Sequence, residues 1–300
     1  MDSLYSNKIA FVTQSYKPDY DACKLLCRSL DKFAPLIRHY IFVNDEDYQD
    51  FQALKYGNHI VMKKSTVLPW YFFRLPFKLL GHHFYLSPFT FPMREWVMQQ
   101  MCKLGVFEVI DNDIEAVFHI DSECVMLRPF NINNFYKEGK YILFRSQDNK
   151  QRSHAYYIKA INTFFNNAID KKELDKYDYM AQMCCFVKEN TIAMLNDMSQ
   201  NNLFKSWKIK FANAYRPSEF YTYGNYCANI LNMKNHFIDD ERVFKFLRSS
   251  NFKTVDELRK TIEEVMVNEH YIGVWIQKGK RDADDISVDK IQEACNSFLK

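Results

Sequence analysis

The residues of this sequence best suited to chemistry are Asp121, Ser122 and Glu123, which directly follow the apolar run VFHI (117–120). A run of this composition predicts a buried strand. On a strand that continued through the acidic residues, the period of two would place both carboxylates on one side. Carboxylates held this close repel each other unless a cation lies between them. Mg²⁺ or Mn²⁺ accepts such oxygens and keeps positions open for phosphate, so the segment predicts a metal–diphosphate site.

The segments before this motif predict the sheet that positions it. KIAFVTQ (8–14), RHYIFVND (38–45) and NHIVMKK (58–64) are typical of strands, and the segments between them have helical apolar spacing. In the first predicted helix, Asp19 is the expected N-cap. The β-α-β-α-β order predicts a mostly parallel sheet that binds ligands beyond the carboxyl ends of its strands.

The rest of the chain continues the same α/β class. MREWVMQQMCKLGVFEVI (93–110) predicts a helix, and YILFRSQ (141–147) and MAQMCCFVKEN (180–190) predict strands. From about Phe237 the spacing is helical apart from HYIGVWIQ (270–277). Without a repeat or a Gly/Ser-rich linker, we expect one domain over residues 1–300 with a helical C-terminal part.

Composition narrows the class of function. The net charge of +3 and the lack of a long basic block argue against nucleic acid as a partner. The start of the sequence lacks the pattern of a secretory signal, and no run of about 18 apolar residues predicts a membrane span, so we expect a cytoplasmic protein. The eight cysteines lie in apolar segments and are expected to be buried, reduced thiols. Packing explains the spacing of Cys23 and Cys27 as well as a ligand role does.

One segment differs in kind from its surroundings. VLPWYFFRLPFKLLGHHFYLSPFTFP (67–92) combines many aromatic residues with Arg74, Lys78, His82 and His83. Three alternatives stay open for it: core packing, a lid over an acceptor, or contact with the inner face of the cell membrane.

The order of FVTQSY, YIFVND, WVMQQMCKL and VFHIDSECVMLRPF resembles glycosyltransferases of the GT-A fold. In particular it is similar to a bacterial group found among polysaccharide-assembly enzymes, whose members begin FVT-x-SY-x-PD. The resemblance covers residues 8–45 and 94–130, and more loosely 177–230. It implies a Rossmann-like, mixed and mostly parallel sheet flanked by helices. Residues 1–130 would form the half that binds the nucleotide-sugar, and 131–300 the half that binds the acceptor.

The resemblance also implies a metal site. In GT-A enzymes an Asp-x-Asp motif holds the metal that binds the donor's diphosphate, and Asp121 and Glu123 occupy those places here. His270, in the segment HYIG, resembles the His-x-x-Gly histidine of glycogenin-like transferases, which completes the ligand set. A packed histidine is the alternative. The implied cofactor is Mn²⁺ or Mg²⁺.

The donor and acceptor follow from the same resemblance. The donor is expected to be a UDP-sugar, and the acceptor a surface-polysaccharide or lipid-linked saccharide. Lys103 is the matching basic residue that would meet the donor, and a solvated helix face is the alternative. The residues implied at the nucleotide-binding strand ends are Thr13, Ser15, Tyr16 and Asp45.

A catalytic carboxylate is harder to assign. An inverting transferase needs a general base within hydrogen-bond reach of the acceptor hydroxyl, whereas a retaining one needs only a polar group near the anomeric carbon. Glu219, in the aromatic segment RPSEFYTYGNYC (216–227), is the first candidate, and Asp178 is the second. A surface or capping role is the alternative for each.

Three other functions compete with this prediction. An aspartyl-phosphatase would place the acidic motif near the start of the chain, followed by Thr or Val. Here the motif lies at 121–123 and is followed by Cys124, which argues against that function. A nucleotidyltransferase would open with a glycine-rich basic loop, and FVTQSYKPD contains no glycine. A catalytically degenerate scaffold that binds sugar or nucleotide with the same fold stays open as the non-enzyme alternative.

Overall fold

The computed structural model describes residues 7–79, 81, 83–147, 154–200, 204–277 and 286–299. The first six residues, which the signal-peptide prediction covers, and His82 lie outside these ranges. The chain divides into two compact units. Unit 1 comprises Met1–Lys63, Phe118–Asn134 and Arg242–Lys300, and unit 2 comprises Lys64–Val117 and Phe135–Glu241.

The elements are numbered in chain order over the described residues. The strands are β1 (Ile9–Gln14), β2 (Arg38–Val43), β3 (His59–Lys63), β4 (Phe73–Arg74), β5 (Phe84–Ser87), β6 (Thr90–Arg94), β7 (Ala116–His119), β8 (Cys124–Met126), β9 (Tyr136–Lys137), β10 (Lys140–Phe144), β11 (Cys184–Val187), β12 (His236–Asp239), β13 (Phe244–Arg248) and β14 (Gly273–Gln277). The α-helices are α1 (Tyr20–Phe33), α2 (Tyr48–Phe51), α3 (Glu95–Leu104), α4 (His154–Phe164), α5 (Lys171–Leu174), α6 (Lys188–Gln200), α7 (Trp207–Ala212), α8 (Glu219–Asn229), α9 (Val255–Val267) and α10 (Val288–Leu299). None of these helices is long and apolar enough to cross a membrane.

The central sheet has five strands in the order β11-β7-β1-β2-β3. β1 pairs with β2, and β2 with β3, in parallel. β1 is buried along nearly its whole length, as expected for a parallel strand covered on both faces. Three smaller sheets have the orders β12-β10-β9, β13-β14-β8 and β4-β5-β6. The predicted α/β class, with a mostly parallel sheet and flanking helices, is confirmed.

Helix α1 supports unit 1 from two sides. Cys23 and Cys27 pack with Ile41 and Val43 of β2, whereas Leu25 packs with residues of β8, β14, α9 and α10. Asp19 occupies the N-cap position, but its side chain makes no capping hydrogen bond. The predicted N-cap position is therefore confirmed, and a 3-10 turn at Lys17–Asp19 leads directly into the helix.

Several predicted boundaries are corrected by tertiary pairing. The C-terminal third contains β12 and β13 besides its helices, because these short strands pair in parallel with β10 and β14. The predicted helix 93–110 is only α3, since Met93 and Arg94 belong to β6 and Gly105 is the C-cap. The predicted strand 180–190 is only β11, because α6 begins at Lys188.

The prediction of buried, reduced cysteines is confirmed, since all eight are buried and none forms a disulfide bond. Core packing is wrong for much of segment 67–92. Trp70 is 91% exposed and Phe91 77% exposed, and Phe73 and Phe77 are also more than half exposed. Part of the segment forms the sheet β4-β5-β6.

A buried histidine in unit 2 generates a prediction about pH and stability. Nδ1 of His236 lies 3.1 Å from the carbonyl oxygen of Tyr141, and Nε2 lies 2.7 Å from the hydroxyl of Tyr223. A carbonyl only accepts, so Nδ1–H donates to it, and Nε2 of the neutral ring accepts from Tyr223. Burial lowers the pKa of His236 to about 4.

The unfolded chain therefore binds more protons than the folded chain between pH 6.5 and about pH 4. The contribution of neutral His236 to the free energy of unfolding is fully present above pH 6.5 and is lost as the pH falls toward about 4. We expect the free energy of unfolding in urea to fall by roughly 2 kcal/mol more in the wild type than in His236→Gln between pH 7.5 and 5. Equal pH dependence in both proteins would contradict this role of His236.

Candidate functional site

The loops after β1 and β2 are joined to each other in unit 1. The Ser15 amide donates to the carbonyl oxygen of Phe42 (2.9 Å), and the Lys17 amide donates to Oδ2 of Asp47 (3.0 Å). Ser15 is buried, whereas Tyr16 is 38% exposed and Asp45 is exposed. The carboxyl ends of these parallel strands thus form one edge that presents Tyr16 and Asp45 to solvent.

Thr13 connects this edge to the acidic motif. Its side chain is fully buried, and its hydroxyl donates to the carbonyl oxygen of Ile120 at 2.8 Å. The Ile120 amide donates in turn to the carbonyl oxygen of Val12 at 3.0 Å. Both backbone groups of the residue before Asp121 are therefore held by β1.

Asp121, Ser122 and Glu123 form a turn, which we call the acidic turn. The Cys124 amide donates to the carbonyl oxygen of Asp121 at 3.1 Å and closes it. The prediction of one extended strand is wrong, because β7 and β8 belong to different sheets and the chain turns between them. Ser122 is buried, whereas Asp121 and Glu123 are partly exposed. The turn therefore keeps the two carboxylates one residue apart and accessible.

The far side of the acidic turn is held by β14. The Ile276 amide donates to the carbonyl oxygen of Glu123 at 3.0 Å. Burial and then the charges of Asp121 and Glu123 raise the pKa of the Cys124 thiol well above its ordinary value. The thiol next to the turn is therefore neutral.

His270 lies away from the acidic turn. β8 and β14 are antiparallel, with Trp275 opposite Cys124 and Gly273 opposite Met126. The acidic turn precedes the ladder at its Cys124 end, whereas His270 precedes it at its Met126 end. The structure therefore does not bring His270 to Asp121 and Glu123. Gly273, the other half of the predicted motif, has a packing reason, because a Cβ there would lie 2.3 Å from the carbonyl oxygen of Val125.

The predicted basic residue and the first candidate base meet in unit 2. Nζ of Lys103 on α3 lies 3.0 Å from Oε1 of Glu219, and their side chains are 12% and 7% exposed. Nζ also lies 4.4 Å from the ring centroid of Phe220. Glu219 is the first residue of α8, where the helix dipole favours a negative charge. A solvated helix face for Lys103 is wrong, and the exposed alternative for Glu219 is wrong as well.

Asp178, the second candidate base, is also buried. Its backbone pairs with Ser146, and its Oδ1 accepts from the Met180 amide at 2.9 Å. Burial, then the charge of Glu219, raises the pKa of the Cys184 thiol; the charge of Lys103 lowers it, and that of Asp178 raises it. All three charged groups are therefore within electrostatic range of Cys184.

Gln100 belongs to this group but was not predicted from the sequence. It is buried, and its Oε1 accepts from the Glu219 amide at 3.0 Å. Its Nε2 finds no hydrogen-bond partner among the residues that the structure describes. Gln100 could have been predicted from its position three residues before Lys103, because this spacing places both side chains on one face of α3.

Comparison with known proteins assigns a family. Residues 8–242 match the model of a family of unknown function, DUF6492. The chain belongs to this family. No curated protein is significantly similar to this DUF6492 chain in sequence.

Solved structures give distant neighbours of the DUF6492 chain. One is galactosyltransferase LgtC in complex with donor and acceptor sugar analogs, with TM-score 0.49 and 11% identity, covering 96% of this chain and 95% of that one. Another is mouse xyloside xylosyltransferase 1, with TM-score 0.38 and 8% identity, covering 80% and 87%. A third is glycosyltransferase GlyE of Streptococcus pneumoniae TIGR4, with TM-score 0.41 and 9% identity, covering 98% and 60%.

The pair of Lys103 and Glu219 generates a prediction about stability. Removal of one partner leaves a buried, uncompensated charge, so Lys103→Met and Glu219→Gln should each lower the free energy of unfolding by about 3 kcal/mol. The double variant should lose about 1–3 kcal/mol less than the sum of the two, because it leaves no unpaired charge. Urea unfolding of the four proteins measures this coupling.

The matched control is Lys234 with Glu189, an ion pair of unit 2 at 2.6 Å with side chains 57% and 61% exposed. The same substitutions there should show a coupling under about 1 kcal/mol. Equal coupling in both cycles would mean that the pair of Lys103 and Glu219 is screened by water and is not a buried pair.

Proposed function

We propose that this protein transfers a sugar from a UDP-sugar to a saccharide acceptor, with a divalent metal ion bound at Asp121 and Glu123. The observation that carries the proposal is the acidic turn. It lies directly after β7, it is held by β1 through Thr13 and by β14 through Ile276, and its carboxylates are accessible. The crevice at the carboxyl ends of such strands is where open α/β sheets bind nucleotides.

The side chains of the acidic turn fit the proposed metal. Two carboxylates on a closed turn supply hard oxygen ligands and leave room for phosphate oxygens, which suits Mn²⁺ or Mg²⁺. When bound, the ion neutralises the charge that develops on the departing diphosphate. His270 is left out of this ligand set, because the ladder of β8 and β14 separates it from the acidic turn.

The remaining donor contacts are assigned to the edge formed by β1 and β2. Tyr16 and Asp45 are exposed there and are proposed to contact the nucleotide, while the buried Thr13 and Ser15 hold the backbone in place. The assignment of the donor to residues 1–130 and of the acceptor to residues 131–300 stays a prediction.

Transfer requires that an acceptor hydroxyl bond to the anomeric carbon while the bond from that carbon to the diphosphate oxygen breaks. The hydroxyl proton then passes to a base. Glu219 is the first choice, because it is a buried carboxylate whose Oε1 lies 3.0 Å from Nζ of Lys103, and Asp178 is the second. In this proposal Lys103 acts on Glu219, which differs from the donor contact that the resemblance implied.

Segment 67–92 is the proposed acceptor surface. Its exposed aromatic side chains, such as Trp70 and Phe91, offer faces for the apolar sides of sugar rings or for a lipid chain. A lipid-linked precursor of a surface polysaccharide combines both features, and it would bring this segment to the inner face of the membrane.

Calorimetry tests the donor site. UDP and GDP titrated into the wild type, with and without Mn²⁺, should show binding of UDP that requires the metal. Asp121→Ala should abolish the metal-dependent part, because one of the two proposed ligands is gone. The matched control is Asp289→Ala, which removes an exposed carboxylate of α10 and should leave UDP binding unchanged.

If neither nucleotide binds and Asp121→Ala has no effect, the acidic turn is not a diphosphate site and the scaffold alternative is favoured. If UDP binds but the UDP-sugar is neither hydrolysed nor transferred, the fold binds the donor without catalysing transfer.

Kinetics test the base. Glu219→Gln should lower kcat by about 10²–10⁴-fold and leave UDP affinity unchanged, because a general base contributes on that order. Lys103→Met/Glu219→Gln restores charge balance, so it separates a loss of catalysis from a loss of folding. A larger fall of kcat in Asp178→Asn than in Glu219→Gln would transfer the role to Asp178.

A further inference from the structure

A second group of potential ligands lies inside unit 1. Cys27 on α1, His39 on β2 and His59 on β3 are buried, and each offers one ligand atom such that all three atoms lie within 4.8 Å of one another. His39 and His59 are direct partners in the parallel ladder of β2 and β3. Their side chains therefore leave the same face of the sheet, toward α1.

Hydrogen-bond partners fix where the protons of the two histidines lie. The Thr13 hydroxyl has one proton, and it donates that proton to Ile120. Nε2 of His39, 2.8 Å from the same hydroxyl, must therefore be the donor to it. Nε2 of His59 lies 3.1 Å from Oδ1 of Asp31, and a carboxylate also only accepts. Both Nε2 atoms thus carry protons.

The consequence concerns the other nitrogen of each ring. A neutral imidazole has one N–H, so both Nδ1 atoms present lone pairs when both rings are neutral. These two atoms face each other at 3.0 Å. Two lone pairs at this distance repel each other, and the arrangement requires a cation between or beside them.

One candidate for that cation is a proton that makes His59 an imidazolium paired with Asp31. That choice does not account for the Cys27 sulfur, which lies within 4.8 Å of the ligand atoms of both rings.

A soft divalent metal ion would accept the lone pairs of both Nδ1 atoms and the Cys27 sulfur together. In a tetrahedral zinc site with Zn–N distances of about 2.0–2.1 Å, two nitrogen ligands lie about 3.3 Å apart, close to the observed separation. Cys27 supplies sulfur, and Cys23, one helical turn earlier, hydrogen-bonds with the Cys27 thiol. The Cys27 thiolate and the Asp31 carboxylate behind His59 would balance the charge of Zn²⁺, which a buried site requires.

We infer that Cys27, His39 and His59 bind a structural Zn²⁺ ion. Asp31 and Thr13 orient the two imidazoles from behind, as carboxylates and hydroxyls do around ligating histidines. The site joins α1, β2 and β3, so bound metal would stabilise the part of unit 1 on which the acidic turn rests. The inference is independent of the proposed transferase activity, because the acidic turn offers oxygen ligands and no sulfur.

Metal analysis and cobalt spectroscopy of the full-length chain, purified without a histidine tag, test the inference. Elemental analysis should find one zinc per chain. After exchange, Co²⁺ should give a near-ultraviolet thiolate charge-transfer band and intense visible bands of tetrahedral cobalt. Cys27→Ser should lose the charge-transfer band, and metal removal should lower the melting temperature of the wild type only.

Two controls make the result specific. Cys295→Ser makes the same change at another buried cysteine of unit 1 and should keep the cobalt spectrum. Asp121→Ala should keep it too, even where UDP binding is lost. Folded wild-type protein that gives no thiolate–cobalt band overturns the inference. Nitrogen NMR that finds one of the two rings doubly protonated at neutral pH would identify the proton as the cation and overturn it likewise.

Discussion

The Thr13 hydroxyl has a single proton, and the direction in which it donates that proton organises much of unit 1. Donation to Ile120 holds the residue before the acidic turn against β1. The same donation makes the hydroxyl an acceptor toward His39, which fixes the proton of that ring on Nε2. One buried side chain therefore sets the backbone of the proposed donor site and the orientation of the Cys–His group. Both effects follow because a hydroxyl can donate only once.

The local pattern of apolar residues was sufficient to predict much of the fold. The apolar runs of β1, β2 and β3 and the helical spacing of α1 are properties of neighbouring residues, and they determined the strand and helix order that the structure has. The acidic motif was visible for the same reason. The sequence did not indicate that Asp121 begins a turn, because the end of β7 depends on β8 pairing with β14 about 150 residues later.

The features that the sequence did not reveal depend on contacts between residues that lie far apart in the chain. His270 was grouped with the acidic pair by a short motif, but antiparallel pairing of β8 with β14 places it at the other end of the ladder. The buried pairing of Lys103 with Glu219 joins residues from two distant helices, and no spacing rule connects them. The Cys–His group was missed because its ligands come from one helix and two strands, so it has no compact motif such as a pair of CxxC units.

The two proposed cation sites of unit 1 differ in a way that matches different tasks. Asp121 and Glu123 are hard, partly exposed ligands on a turn, so an ion there can exchange and can meet a diphosphate. Cys27, His39 and His59 are softer ligands enclosed by α1, β2 and β3, so an ion there is shielded from substrate and contributes to folding. The Thr13 hydroxyl links the two groups, because it bonds to the carbonyl oxygen of Ile120 before the acidic turn and to Nε2 of His39. A metal ion that joins β2 and β3 to α1 would make this part of unit 1 rigid. The acidic turn would then keep its position while metal and diphosphate bind and leave.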